Sequence, residues 1–347
     1  MRKIVLFGGA FDPVHNGHIA IYHAVKKDIK PNQFIVIPSK TPPLKDHKAY
    51  ASSNDRLNML KLAFGSYKDV QISTSELDKK GVQPSYSVDT VKYFSRKFPD
   101  ASLFFVIGHD RYLDFQDWKS WKEILKLVKL IVINRGTKKI NGINNDSIIQ
   151  VSMAPVNISS TQLRQNPVQK YIPSSVLKYI VKNNLYIEQQ VQSLMSLKRY
   201  QHSVRVAQLA VALAKSNDIK LAQRAYVAAL YHDVAKEFDN QAILKLVGKY
   251  DHLRFPTIHT LHGVASAKYI EANFHIKDSL ILNAIANHVI PPKNPSILDK
   301  ILYCADKLEP SRTKSDVTNR ERYVRLAKHD INKAFSKLHQ EMINRYI

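Results

Sequence analysis

The stretch that decides the fold of the first half is Lys3–His18, KIVLFGGAFDPVHNGH. It begins with a short, nearly continuous apolar run, which is typical of strands buried on both faces. Two glycines, Gly8 and Gly9, end that run, and a helical pattern starts at Gly17. Glycines at a strand end let backbone N–H groups approach a phosphate, and the N-terminus of the next helix adds positive potential. The stretch therefore predicts a phosphate site between a first strand and a first helix.

The same alternation of strand and helix signals continues through the first half of the chain. Apolar runs lie at Lys3–Gly9, Phe34–Pro38, Val70–Ser73, Leu103–Gly108, Leu130–Asn134 and Ile148–Met153, with helical patterns at Gly17–Ile29, Ser53–Phe64 and Ser87–Phe98. This alternation predicts a Rossmann-like α/β fold, an open parallel sheet with helices on both faces. Ligands bind beyond the carboxyl ends of such strands, so motifs that directly follow the runs are the candidates for chemistry.

The second half has a different texture. From about Ser193 the strand signals disappear, and helical periodicity extends to Ile347. We therefore predict an α/β domain over residues 1–190 and an all-α domain, a helical bundle, over residues 191–347. A chain of 347 residues is long enough for two such domains, each with its own core.

Composition narrows the class of protein. The chain has 52 Lys plus Arg against 29 Asp plus Glu, and its formal charge of +23 favours anionic ligands. The basic residues are scattered rather than grouped, which makes nucleic acid an unlikely partner. The single cysteine, Cys304, excludes an intrachain disulfide, and no apolar run approaches the ~18 residues of a membrane helix. We expect a soluble, cytoplasmic protein with no membrane contact.

Two histidines open the first helical pattern. His15 and His18 are three residues apart, a spacing that would place both rings on one helical face toward the same anionic group. Neither has a serine partner that it would activate. Their expected task is to stabilise negative charge on phosphorus during an in-line displacement.

The stretch Gly8–His18 resembles the nucleotidyltransferase superfamily with the HxGH motif, whose members transfer an adenylyl or cytidylyl group from a nucleoside triphosphate. Further motifs follow the successive strands: Pro38–Lys45, Arg56, Glu76–Leu77, Ser85–Thr90, Gly108–Asp110, Trp118, Trp121 and Ile158–Arg164. Over about Met1–Tyr186 the set is similar to bacterial nicotinate-nucleotide adenylyltransferases. The resemblance implies that the phosphate of nicotinate mononucleotide attacks the α-phosphorus of ATP, which arrives with Mg²⁺, and that pyrophosphate leaves.

The resemblance also implies the residues of the site. His15, His18, Lys45 and Arg164 would be catalytic and would spread the developing charge. The implied substrate-binding residues are Gly8, Gly9, Phe11, Asp12, Arg56, Ser87, Thr90, Gly108, Asp110, Trp118, Arg135, Ser159, Ser160 and Thr161. Nicotinamide mononucleotide and phosphopantetheine remain alternative acceptors, although Trp118 and Ser159–Arg164 argue against phosphopantetheine.

In the helical half, polar side chains with metal-binding chemistry interrupt apolar helices. They are His202, His232, Asp233, His262, His288 and Asp306. Imidazole and carboxylate ligands suit Fe or Mn as well as Zn. An adjacent His-Asp pair can give a nitrogen to one metal while the carboxylate bridges to a second. Six such residues in this order are hard to explain as core filling.

The order of these residues resembles the HD phosphohydrolase superfamily. Leu261–Gly263 and Ala305–Arg312 make the resemblance close to bacterial symmetrical diadenosine-tetraphosphate hydrolases, over about Leu194–Ala334. It implies a dinuclear Fe or Mn site held by the six residues. Asp233 and Lys236 would be catalytic, Arg312 would bind the polyphosphate, and the products would be two ADP. The alternatives are a different nucleotide phosphohydrolase, or a nucleic-acid-binding or structural module attracted by the positive charge.

Overall fold

The computed structural model describes residues 1–40, 50–78, 86–134, 146–167, 169–311, 317 and 319–346. The chain divides into two compact units, Met1–Asn183 and Asn184–Ile347. The boundary predicted at residue 190 differs, because it lies inside a helix, Ile187–Leu194, that packs into the core of the second unit. Tyr226 of the second unit donates a hydrogen bond to Glu188 of this helix, with 2.6 Å between the oxygens.

The first unit contains a six-stranded parallel sheet, which confirms the predicted class. The strands are β1 (Arg2–Gly9), β2 (Gln33–Pro38), β3 (Val70–Ile72), β4 (Ala101–Gly108), β5 (Lys129–Asn134) and β6 (Ile148–Ser152). Their spatial order is β3-β2-β1-β4-β5-β6. The strand order reverses between β1 and β4: β2 and β3 lie on one side of β1, and β4, β5 and β6 lie on the other. At this point Ile4 of β1 pairs with Leu103 of β4. A switch point of this kind opens a crevice at the carboxyl ends of the two strands.

Helices cover both faces of the sheet. They are α1 (Asn16–Ile29), α2 (Ser53–Phe64), α3 (Ser87–Lys97), α4 (His109–Leu113), α5 (Trp121–Leu127), α6 (Ser160–Gln165) and α7 (Ser174–Lys182). On one face, Phe94 of α3 shares a buried cluster with Phe105 of β4. On the other face, Tyr22 of α1 packs edge-on against Phe34 of β2, with ring centroids 5.2 Å apart. Burial on both faces explains why the strands read as nearly continuous apolar runs.

The second unit is all helical in the described residues, as predicted. Its helices are α8 (Ile187–Leu194), α9 (Leu197–Asn217), α10 (Ala222–Tyr231), α11 (Asn240–Val247), α12 (His262–Phe274), α13 (Ser279–Asn287), α14 (Ile297–Leu308), α15 (Arg320–His329) and α16 (Ile331–Tyr346). α10 ends at Tyr231, and residues 232–237 after it form turns. Cys304 is fully buried in this core, and its burial raises the pKa of the thiol.

None of the helices in the described ranges is both long and apolar enough to span a lipid bilayer.

Candidate functional site

The loop after β1 is held by buried polar contacts. The carboxylate of Asp12 accepts hydrogen bonds from the backbone N–H groups of Tyr50 at 2.8 Å and Ala51 at 3.1 Å. Phe11 adopts a left-handed backbone conformation with a φ of 49°, and its ring is buried. The loop therefore reaches the switch point of the sheet in one defined conformation, rather than as a flexible glycine-rich segment.

The two histidines of this loop are placed differently from the sequence expectation. His15 is not inside the helix but caps the N-terminus of α1, with an extended φ of −148°. Its Nδ1 accepts a hydrogen bond from the backbone N–H of Gly17 at 3.1 Å, and the Nδ1 of His18 accepts one from the backbone N–H of His15 at 3.1 Å. A neutral imidazole whose Nδ1 accepts must carry its proton on Nε2. The two rings, 3.9 Å apart by centroid, are thus Nε2–H donors.

Gly17 is required by the ring of His15. A Cβ at Gly17 would lie 2.9 Å from two atoms of that ring, so a side chain there would push His15 out of its capping position. The N–H groups at the start of α1 add positive potential beside the two rings. Loop, glycine and helix end together make a site suited to a phosphate.

The motif Ile158–Arg164 supports the same loop from α6. Ser159 caps this helix through a reciprocal pair of hydrogen bonds with Gln162. The hydroxyl of Ser160 donates to the carbonyl of Pro13 at 3.0 Å. These contacts place Ser159 and Ser160 at the loop. Both serine hydroxyls take part in hydrogen bonds within the protein.

Two arginines expected to meet substrate are buried and bind backbone carbonyls. Arg164 is 7% exposed, and its Nη1 donates to the carbonyl of Asp12 at 2.7 Å. Arg56 is 1% exposed, and its Nη1 donates to the carbonyls of Ala10 and Ser39 at 2.8 Å each. Both guanidinium groups therefore hold the loops that follow β1 and β2.

Most of the remaining expected residues lie at the ends of strands or in the helices of the first unit. Gly8 and Gly9 end β1, Gly108 ends β4, Asp110 lies exposed on α4, Thr161 lies exposed on α6, Ser87 begins α3, and Thr90 donates from its buried hydroxyl to Glu76. Trp118 packs its ring on Phe115, and its buried Nε1 has no hydrogen-bond partner among the described residues. Lys45, Arg135 and Arg312 lie outside the described residues.

In the second unit, the six expected metal ligands converge. His202 lies within α9, His232 and Asp233 directly follow α10, His262 begins α12, His288 directly follows α13, and Asp306 lies in α14; all six are buried. Asp233 occupies the middle of the cluster. Its Oδ1 lies 3.2 Å from Nε2 of His262 and 3.5 Å from Nε2 of His288.

The other oxygen of Asp233 faces the other half of the cluster. Oδ2 lies 3.6 Å from Nε2 of His232 and 3.9 Å from Nε2 of His202. Oδ1 of Asp306 lies on the same side, 3.2 Å from Nε2 of His202. The cluster therefore has two ligand groups that share Asp233, one with His202 and His232 and the other with His262 and His288.

The protonation of these rings follows from their Nδ1 partners. Nδ1 of His232, His262 and His288 lies 2.7 Å from the carbonyl oxygens of Ala229, His259 and Ile285 respectively. A carbonyl oxygen can only accept, so each Nδ1 carries the proton and each Nε2 of the neutral ring carries a lone pair. Nδ1 of the fourth ring, His202, lies 3.2 Å from Oε1 of Glu309. Four Nε2 atoms thus face two carboxylates.

This arrangement fits divalent cations. Nε2 of His262 and Nε2 of His288 lie 3.2 Å apart, and Nε2 of His202 and of His232 are buried without a hydrogen-bond partner in the described part of the chain. Burial lowers the pKa of His232 to about 4, which keeps its ring neutral. The carboxylate of Asp233 accepts a hydrogen bond from Nη1 of Arg199 at 2.7 Å, which favours its charged form. Buried lone pairs beside ionised carboxylates are stabilised by a metal.

Among the described residues, three cations border the cluster. Nζ of Lys236 lies 3.2 Å from Nδ1 of His262, Nη1 of Arg199 lies 2.7 Å from Oδ2 of Asp233, and Nζ of Lys307 lies 2.7 Å from Oδ2 of Asp306. Lys236 was expected from the sequence, whereas Arg199 and Lys307 were not. Arg199 precedes His202 by three residues, so the helical spacing alone could have indicated it.

Comparisons with known proteins match both units. A cytidylyltransferase-like family model matches residues 6–166, and an HD domain model matches residues 199–311. A "Probable nicotinate-nucleotide adenylyltransferase/Ap4A hydrolase" of Mycoplasma genitalium is 34% identical over 341 residues, which cover 96% of each chain. The protein of the same description in Mycoplasma pneumoniae is 32% identical over 339 residues, covering 95% of this chain and 96% of that protein.

Among solved structures, a "predicted HD superfamily hydrolase involved in NAD metabolism" from Clostridium acetobutylicum is 29% identical, with a TM-score of 0.41. It covers 46% of this chain and 86% of that one.

Gly263→Ala tests the packing behind the cluster. A Cβ at Gly263 would lie 2.8 Å from the carbonyl oxygen of Ile285 and 3.0 Å from Nδ1 of His288. We expect the substitution to cost about 1–3 kcal/mol of stability by overpacking and to weaken Mn²⁺ binding, because α12 must move away from α13. Thermal unfolding and calorimetric Mn²⁺ titration measure the two effects. Glu271→Ala, on the exposed side of α12, is the control; unchanged binding by Gly263→Ala would contradict the prediction.

Proposed function

The chain belongs to the family of the fused nicotinate-nucleotide adenylyltransferase/Ap4A hydrolase proteins, and from this premise we propose that it is a bifunctional enzyme. The first unit transfers AMP from MgATP to nicotinate mononucleotide, giving nicotinate adenine dinucleotide and pyrophosphate. The second unit is a metal-dependent hydrolase that cleaves diadenosine tetraphosphate into two ADP. The observation that carries the proposal is the opposite use of Nδ1 in the two units, which yields Nε2–H donors in one and Nε2 lone pairs in the other.

In the first unit, the proposed chemistry is a direct displacement. A phosphate oxygen of the mononucleotide forms a bond to the α-phosphorus of ATP, and the bond from that phosphorus to the pyrophosphate oxygen breaks. His15 and His18 donate from Nε2 to the phosphate oxygens, where negative charge accumulates. The N-terminus of α1 adds positive potential, which stabilises the same charge. No covalent intermediate with the protein is needed, since the reaction gains mainly from positioning and charge stabilisation.

Buried arginines give this site its rigidity. Arg164 and Arg56 fix the carbonyls of the loops after β1 and β2, so we assign them a positioning role. Trp118, beside the end of β4, offers a ring face for the pyridine of the mononucleotide. Mg²⁺ enters as the ATP complex.

In the second unit, the proposed ligands of a dinuclear site are His202, His232, Asp233, His262, His288 and Asp306, with Asp233 shared. Bound divalent ions, Fe or Mn, would activate water at neutral pH and polarise the attacked phosphoryl group. Arg199, Lys236 and Lys307 place three positive charges at the edge of the cluster. These cations would bind the polyphosphate chain and neutralise the charge on the departing ADP. The oxygen of a water molecule forms a bond to the attacked phosphorus, and the bond from that phosphorus to the departing ADP breaks.

His18→Ala tests the adenylyl transfer. Removal of one Nε2–H donor is expected to lower kcat for nicotinate adenine dinucleotide formation about 10²–10³-fold, because that donor stabilises charge that develops in the transition state. Formation of the dinucleotide from ATP and nicotinate mononucleotide is followed by chromatography. His23→Ala, an exposed histidine on the same helix, is the matched control.

Two results would contradict this half of the proposal. One is no product from the wild-type chain with nicotinate mononucleotide. The other is equal loss of activity in both histidine variants. A parallel assay with nicotinamide mononucleotide measures the preference between the acid and amide acceptors.

Asp233→Ala tests the hydrolase. We expect it to abolish release of two ADP from diadenosine tetraphosphate while adenylyl transfer stays at the wild-type rate, because Asp233 lies in the second unit and is shared by both ligand groups. Chelation followed by addition of Mn²⁺ or Fe²⁺ should abolish and restore hydrolysis in the wild-type chain. Products are separated by ion-exchange chromatography. ATP plus AMP, or hydrolysis that survives Asp233→Ala, would refute the symmetric, metal-dependent reaction.

A further inference from the structure

His202 differs from the other three histidines of the cluster in what holds its ring. The Nδ1 atoms of His232, His262 and His288 each donate to a backbone carbonyl three residues earlier. Nδ1 of His202 instead faces a carboxylate oxygen, Oε1 of Glu309, at 3.2 Å. Glu309 is 1% exposed and lies directly after α14.

The position of each histidine in its helix explains this difference. His232 and His288 follow the last turns of α10 and α13, and there the carbonyls of Ala229 and Ile285 accept from the two rings. His202 lies inside the 21-residue helix α9. There the carbonyl three residues earlier already accepts the backbone hydrogen bond of the helix. His202 has a side-chain acceptor instead, and Glu309, directly after α14, supplies it.

Glu309 is itself held in place. Its Oε2 accepts from Nε of Arg205 at 2.9 Å and from the backbone N–H of Ser311 at 2.9 Å. Its Oε1 accepts from the hydroxyl of Ser311. Arg205 and Ser311 therefore fix the orientation of the carboxylate.

One segment of the chain thus contacts both nitrogens of His202. Glu309 accepts from Nδ1, and Oδ1 of Asp306 lies 3.2 Å from Nε2. We infer that Glu309 is a positioning residue that fixes the tautomer and orientation of His202, and so controls the affinity of the ligand group formed by His202, His232 and Asp233, with Asp306 beside it. The inference rests on the proposed metal dependence of the second unit. It assigns Glu309 no part in the ligand group of His262 and His288.

The experiment counts metal ions bound to the full chain. Wild type, Glu309→Gln and Glu309→Ala are titrated with Mn²⁺, and the number and affinity of bound ions are measured by calorimetry and by the electron paramagnetic resonance of free Mn²⁺. We expect one of two ions to bind about 10–100-fold more weakly in the variants and the other to bind as in wild type. Glu309→Ala should be affected more than Glu309→Gln, because the amide oxygen can still accept from Nδ1. Glu188→Gln, a hydrogen-bonded glutamate on α8, is the matched control.

A second readout separates positioning from general stability. Long-range ¹H–¹⁵N spectra of the metal-free chain report the tautomer of each histidine. Wild type should show His202 protonated on Nδ1, and Glu309→Ala should shift His202 toward the Nε2–H form while His232 and His288 keep theirs. If Glu309→Ala does not fold, Glu309→Gln decides by the same two measurements.

The outcomes distinguish a failure of the proposed role of Glu309 from a failure of the proposed hydrolase. Two ions bound with wild-type affinity in the Glu309 variants, or an unchanged His202 tautomer, would overturn the role of Glu309 and leave the proposed hydrolase intact. Equal weakening of both ions would also overturn it, because the effect would not be confined to one ligand group. No metal binding by the wild-type chain would instead overturn the proposed hydrolase itself.

Discussion

The partner of each imidazole Nδ1 decides what the ring can do in both units of this protein. At the start of α1, Nδ1 of His15 and of His18 accepts from a backbone N–H, so the proton is on Nε2. In the helical unit, Nδ1 of His232 and of His288 donates to a carbonyl, so Nε2 keeps its lone pair. The first state can donate to an anion, and the second can bind a cation. One side chain therefore serves opposite chemistries through one hydrogen bond.

The ends of the helices provide these partners. An N-terminus offers unpaired N–H groups, and a C-terminus offers unpaired carbonyls, so histidines beside the two ends can acquire opposite tautomers. His15 stands at the N-terminus of α1, whereas His232 and His288 follow the C-termini of α10 and α13. His202, inside α9, has neither kind of free backbone group and takes its partner from Glu309. His262 begins α12 but donates from Nδ1 to the carbonyl of His259, so the local backbone around each ring, and not the helix end alone, sets the tautomer.

Close approach is the second constraint. Gly17 leaves room for the ring of His15, and Gly263 lets α12 approach the end of α13 beside His288. Each glycine follows or precedes a functional histidine in the sequence, and in each case a Cβ would collide with a histidine ring. Burial then completes the helical cluster, because it keeps His232 neutral at physiological pH.

The sequence alone determined the classes of structure and the identity of most of the clustered residues. Nearly continuous apolar runs between helical patterns require a sheet covered on both faces, and the helical periodicity after Ser193 requires packed helices. Six histidines and aspartates within apolar helices were sufficient to predict that these residues form one cluster, since polar groups inside a helical core need a polar or metal partner.

Only the tertiary structure decided which atom of each residue is available. It placed His15 at a helix cap, turned Arg56 and Arg164 toward backbone carbonyls, and brought Arg199 and Glu309 to the cluster. The physical reason is that hydrogen-bond partners distant in the chain fix tautomers and side-chain directions. Sequence spacing specifies such partners only within one helix, and Glu309 lies on a different segment from the His202 that it holds.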